Sequence, residues 1–95
     1  MILDEQEITN AICLHQAERR GIRPQEVSVE LLWDEDLGFS ASVEIGGREM
    51  YLVESNMLEA IERYLLNKYG HRVFRNQIRL ELDEQIRAEI DDSAL

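Results

Sequence analysis

Apolar residues recur over the first twenty positions at helical spacing and then, after one break, at the spacing of a strand. At about 100° per residue Ile8, Ala11, Ile12 and His15 share one face with Arg19 at its end, while Cys13 and Leu14 point to either side. Asp4 suits an N-cap with Glu7 three residues on, Arg19 and Arg20 suit the negative end of the helix dipole, and Gly21 supplies a left-handed stop. The spacing therefore predicts a helix over residues 4–20. Beyond the Gly21–Pro24 connection the period becomes two: Val27, Val29, Leu31 and Trp33 alternate with Ser28, Glu30, Leu32 and Asp34. After a turn at Glu35-Asp36-Leu37-Gly38 the alternation resumes with Phe39, Ala41, Val43 and Ile45. Gly46-Gly47 reads as a two-residue hairpin turn, where both positions must accept positive φ, and leads into a third strand from Arg48 to Glu54.

Two turns fix one register. The glycine turn sets Val43 opposite Met50 and Ala41 opposite Leu52, and a five-residue first turn sets Trp33 opposite Phe39, Leu31 opposite Ala41 and Val29 opposite Val43. One face of this meander is thus apolar throughout. On the other face Ser28, Glu44 and Glu49 are solvated, but the far end aligns Leu32, Ser40 and Val53 with Tyr51 diagonal to them. That half-apolar end calls for a cover, either a later segment of the chain or a subunit or partner.

A second helix follows, with Ser55 or Asn56 as its cap, Asn56 and Glu59 in capping-box spacing, Glu59 four residues before Arg63, and Gly70 as the stop. Met57, Leu58, Ile61, Tyr64 and Leu65 form its apolar stripe. Nothing in residues 71–92 breaks a helix, yet Ile78, Leu80 and Leu82 alternate with charged residues, as do Ile86, Ala88 and Ile90. A single helix would scatter these positions around its circumference. A hairpin turning near Asp83-Glu84-Gln85 collects them, and its apolar face is free to extend the meander or to cover Leu32, Tyr51 and Val53.

Composition narrows the function classes. The chain has 95 residues, 44% hydrophobic and 32% charged, with 20 acids against 10 bases and a net charge of -10. It is read as a single compact domain, residues 1–95, large enough for one two-layer core. Its longest apolar runs fall far short of the roughly 20 residues of a membrane helix. Cys13 is the sole cysteine and residues 1–5 are acidic where a secretory signal is basic, so a reduced, cytoplasmic setting is expected. Lys68, Arg72, Arg75 and Arg79 form a basic stretch, but Glu81, Asp83, Glu84, Glu89, Asp91 and Asp92 follow it and neutralise it within its own hairpin. The summed field repels phosphate chains, and no nucleic-acid partner is expected. The order helix, three-stranded meander, helix is also that of double-stranded-RNA-binding domains. Those grip phosphates with bases at the start of the second helix, where this chain has Ser55-Asn56-Met57-Leu58-Glu59.

Candidate chemistry is sparse. Asp34-Glu35-Asp36-Leu37-Gly38 resembles the start of a calcium loop but fails at its fifth position and has Ile45 where the bidentate Glu belongs, so a polar turn is the reading. Asp83, Glu84, Asp91 and Asp92 read as solvated charge. Cys13 and His15 lie about 200° apart around the helix axis and form neither a nucleophile–base pair nor a metal clamp. His71 has no assigned partner, and His15 reads as a core or interface histidine. No phosphate loop, nucleophile elbow, HExxH or CxxC occurs. No catalytic residue, metal site or cofactor is assigned.

Three segments, Ala11-Ile12-Cys13-Leu14-His15, Glu30-Leu31-Leu32-Trp33-Asp34-Glu35-Asp36-Leu37-Gly38-Phe39-Ser40-Ala41 and Leu80-Glu81-Leu82-Asp83, resemble the small YxcD-type proteins of Bacillus. That family is of unknown function. The resemblance covers nearly the whole chain; it implies a bacterial cytoplasmic protein and no catalytic residue to carry over. The element order and acidity also resemble the small acidic type III secretion chaperones, which are dimers that bind extended client segments, although this chain is shorter and lacks a third helix. The expectation is an α+β domain of order α-β-β-β-α-β-β: an antiparallel three-stranded meander with two helices on its apolar face and a C-terminal hairpin. It is expected to serve as a protein-interaction or accessory module, as a homodimer, with Leu32, Tyr51, Val53 and His15 as interface candidates. The alternative is a small-ligand or cation-binding protein, or an enzyme, using His15, His71 or the acidic turn 34–36.

Overall fold

The computed structural model describes residues 1–91 and has six strands and two long helices in two antiparallel sheets. The first helix, α1 (Glu5–Arg20), begins where Asp4 accepts the N–H of Glu7 at 2.8 Å and ends at Gly21 with φ 65°. Its buried face carries Ile8, Ala11, Ile12 and His15, as the period requires, and also Gln16 and Ala17. A single 3-10 turn at Pro24–Glu26 leads into the meander.

The meander consists of β2 (Val27–Asp34), β3 (Gly38–Ile45) and β4 (Arg48–Val53), numbered after a short strand β1 (Ile2–Leu3). Its register is the expected one: Trp33 faces Phe39, Leu31 faces Ala41, Val29 faces Val43, and Val43 and Ala41 face Met50 and Leu52. Gly46 and Gly47 both take positive φ, 58° and 80°, which is what lets the hairpin close in two residues. Both helices pack on the apolar face, α1 on β2 and α2 (Glu54–Tyr64) on β3 and β4. Ala41, Val43, Ile12, Met57 and Ile61 are sealed at its centre, and burial fades toward Trp33. Each fully buried Ile or Met there contributes roughly 1.5 to 3 kcal/mol.

Three local expectations are corrected. The cap of the second helix lies two residues before Ser55 and three before Asn56: Val53 is the cap residue, and Asn56 sits at the third helical position, where its Oδ1 accepts the Val53 N–H at 3.2 Å. An Asn can satisfy the orphan donors from either place, so composition alone left the start ambiguous. Ala60 is sealed in the buried stripe whereas Leu58 is half-buried. The helix then widens into a π-turn over Leu65–Tyr69 before Gly70 stops it at φ 71°.

The C-terminal hairpin exists, β5 (Ile78–Leu82) and β6 (Ile86–Ile90) with Ile78 opposite Ile90 and Leu80 opposite Ala88. It neither extends the meander nor covers Leu32, Tyr51 and Val53. Instead β6 pairs with β1, Leu3 lying opposite Ala88, to make a second sheet of order β1-β6-β5. Its apolar face, Leu3, Ile78, Leu80, Ile86, Ala88 and Ile90, joins the core of the meander and helices, with α1 packed against β6. The other face is an ion-pair lattice in which Arg79 meets Glu81 and Glu89, and Arg87 meets Glu81, Glu89 and Asp83. The basic stretch is therefore neutralised partly in the hairpin and partly by the helices, since Arg75 pairs with Glu62 and Lys68 lies 3.9 Å from Glu7.

Candidate functional site

Sheet alternation puts Leu32, Ser40 and Val53 in one cross-strand row on the outer face of the meander, with Glu30, Ser42 and Tyr51 in the next. Nothing among the described residues lies over this end. Tyr51 is 64% exposed and Val53 61%, and at the same end of the sheet Trp33 and Leu37 are exposed too. Tyr51 is held in place: its hydroxyl donates to Glu49 Oε1 at 2.8 Å, and Ser42 Oγ donates to the other oxygen of Glu49 at 3.2 Å. That hydrogen bond, with the carboxylate charge behind it, pushes the phenol above its ordinary pKa. Toward the other end Glu44 lies directly opposite Glu49, a like-charge pair that keeps that end in water. The outer face is thus divided into an apolar end anchored by a fixed tyrosine and an acidic end.

The fourth interface candidate, His15, is not part of this face. It is buried on α1 against α2, with Nε2 3.9 Å from Glu59 Oε1 and Nδ1 buried without a hydrogen bond. Burial lowers its pKa; Glu59 acts against that, while Arg19 and Arg63 reinforce it. The His15 ring, with its unsatisfied nitrogen, lies in the α1–α2 seam, which is also bridged by the Arg63–Glu18 ion pair at 2.8 Å and the Tyr64–Glu7 hydrogen bond at 3.2 Å.

The remaining sequence candidates lie apart from one another. In the acidic turn, Asp34 Oδ1 accepts the N–H groups of Asp36 and Leu37, at 2.7 and 3.1 Å, and these bonds close the loop. No group of three His, Cys, Asp or Glu side chains among the described residues is placed to hold a metal ion. The Cys13 thiol donates to the Val27 carbonyl at 3.6 Å, and burial raises its pKa. His71 stacks loosely on Tyr69, ring centres 6.4 Å apart, and its Nδ1 is likewise buried without a partner. Asp83 is engaged by Arg87, and Asp92 lies outside the described residues.

Sequence reasoning missed one cluster. Glu7 accepts hydrogen bonds from Tyr69 and Tyr64, at 2.9 and 3.2 Å, and Lys68 donates to the Tyr64 hydroxyl at 2.8 Å. The π-turn brings Lys68 and Tyr69 round to the start of α1, and its wider winding has no signature in residue type.

A family model described as "Protein of unknown function (DUF2653)" matches residues 1–85. The chain belongs to the DUF2653 family. Within that setting it is similar to "Uncharacterized protein YxcD" of Bacillus subtilis (strain 168), 28% identical over 86 residues that span 90% of this chain and 84% of that protein. No solved structure matches the chain. The YxcD-type resemblance read from the sequence is therefore borne out. Its three segments fall on the middle of α1, the β2–β3 hairpin and the end of β5. DUF2653 carries no established activity, so the geometry must supply the functional reading.

Proposed function

We propose that this DUF2653 protein is a protein-interaction module that pairs with a second copy of itself through the outer face of the meander. The observation that carries the reading is the placement of the C-terminal hairpin. It was the chain's own candidate cover for Leu32, Tyr51 and Val53, and it pairs with β1 instead. A sheet face with a half-buried Leu, an exposed Val and a fixed, exposed Tyr suits the core of a small interface, because tyrosine contributes large area at little entropic cost. Charge favours a particular arrangement. A two-fold axis over the Leu32–Ser40–Val53 row sets apolar end on apolar end and turns Glu44 and Glu49 of each copy outward into solvent.

Sedimentation equilibrium tests this. The wild-type chain is expected at twice its 11.1 kDa mass and the Tyr51→Glu variant at the single-chain mass, with an unchanged circular dichroism spectrum. A wild-type monomer, or a Tyr51→Glu variant that remains an undisturbed dimer, would remove this face from the interface.

A further inference from the structure

The last turn of α1, strand β4 and the start of α2 enclose a groove of about 370 Å³. Its walls are His15, Gln16, Arg19, Arg20, Met50, Leu52 and Asn56, with no carboxylate among them. In a chain with twice as many acids as bases this local excess of donors runs against the overall charge.

Two observations separate it from ordinary surface polarity. Gln16 is only 5% exposed and no described residue hydrogen-bonds its side-chain amide, whose polar atoms keep access to solvent in the groove, and beside it His15, 7% exposed, has a buried Nδ1 without a partner. A side chain held this deep, with its amide facing the groove and unused by the protein, is placed to bond a ligand there. Second, the arginines are not spent elsewhere. Among the described residues no acid lies within ion-pair distance of Arg19 or Arg20, and Arg20 meets only the Met50 sulfur, at 3.2 Å. The carbonyls of Ala17 and Glu18 accept the N–H groups of Ile22 and Gly21, so the arginines complement the helix dipole without being tied down as caps of those two groups. Asn56 has its oxygen committed to the Val53 N–H, which leaves its amide nitrogen to donate.

We propose that this groove binds the oxyanion group, phosphate or carboxylate, of a small molecule. The forked guanidinium groups of Arg19 and Arg20 supply the charge, the amides of Gln16 and Asn56 orient the group, and Met50 and Leu52 take a short apolar body. The volume lies within the range of small-molecule sites. This reading is independent of the outer sheet face, which lies across the meander from it.

The test is a two-dimensional amide NMR titration of the full chain with sodium phosphate and, in parallel, sodium acetate, each against sodium chloride at matched ionic strength. Saturable shifts centred on the Gln16 and Asn56 side-chain amides are expected, and the tighter of the two anions names the preferred group. In the Arg19→Gln/Arg20→Gln variant, whose replaced side chains are exposed, affinity should fall about ten-fold or more while the remaining spectrum is unchanged. Shifts that follow chloride without saturating, or an affinity the double variant leaves within about two-fold, would overturn the assignment.

Discussion

Replacing Leu3 by alanine should destabilise the protein as severely as a change in the middle of a helix, although Leu3 stands in a strand of two residues. Leu3 is 1% exposed, lies opposite the fully buried Ala88 and belongs to the core shared by both sheets. Removing its branched end deletes about three carbon groups at roughly 0.8 kcal/mol each, and the cavity left behind brings the loss to about 3 or 4 kcal/mol. Against the 5 to 10 kcal/mol usual for such a domain, that is near half of the total, or a Tm lower by roughly 15 to 25 °C. Ile2 is the internal control, because its side chain points the other way and is 58% exposed; Ile2→Ala should stay within about 0.5 kcal/mol of wild type. Urea unfolding followed by circular dichroism reads both variants, with the midpoint of Leu3→Ala falling and its slope unchanged. A Leu3→Ala loss below about 1 kcal/mol, or equal losses at both positions, would refute the placement of β1 in the core.

Two further expectations concern the titratable groups of α1. Burial holds the His15 pKa below its ordinary 6.5 in the folded chain, so below that value the unfolded state binds more protons and stability falls with pH. The His15 contribution is thus complete above pH 6.5 and lost through the window beneath it; urea midpoints measured from pH 7.5 down to 5 should fall less in His15→Gln than in wild type, and parallel curves would contradict this. Cys13, with its thiol raised by burial and bonded to Val27, should react with an aromatic disulfide reagent far more slowly in buffer than in denaturant, and equal rates would mean an open thiol.

The meander was legible because two independent signals coincided. Strict alternation from Val27 to Val53 and the Gly46-Gly47 turn allow one register, and a slip by one residue would have sent Ala41 and Val43 to solvent. The hairpin at residues 78–90 was legible for the same reason. Where it docks was not, since alternation reports which residues share a face and is silent on what that face meets. Ile2 and Leu3 are too few to show a period, so β1 was invisible, and with it the docking of the hairpin away from the outer face of the meander. Leu32, Tyr51 and Val53 share one face as the alternation requires, and His15, read as a core or interface histidine on the apolar stripe of α1, is buried across the sheet between the helices. The groove beside it was hidden because Gln16 looks like a solvent-facing helix residue until β4 and α2 close over it.

The pairing of β1 with β6 joins residues 2 and 3 to residues 89 and 88, nearly the full span of the described chain. Contacts of such sequence separation raise contact order and slow folding, and they set an order of events. On the ribosome the meander and both helices are complete once residue 70 has emerged, but Leu3 stays without its strand partner until β6 follows. The nascent chain therefore passes through a stage with a closed first sheet and an open, apolar seam along α1, and β6, made long after β1, is the strand that locks Ile2 and Leu3 in place.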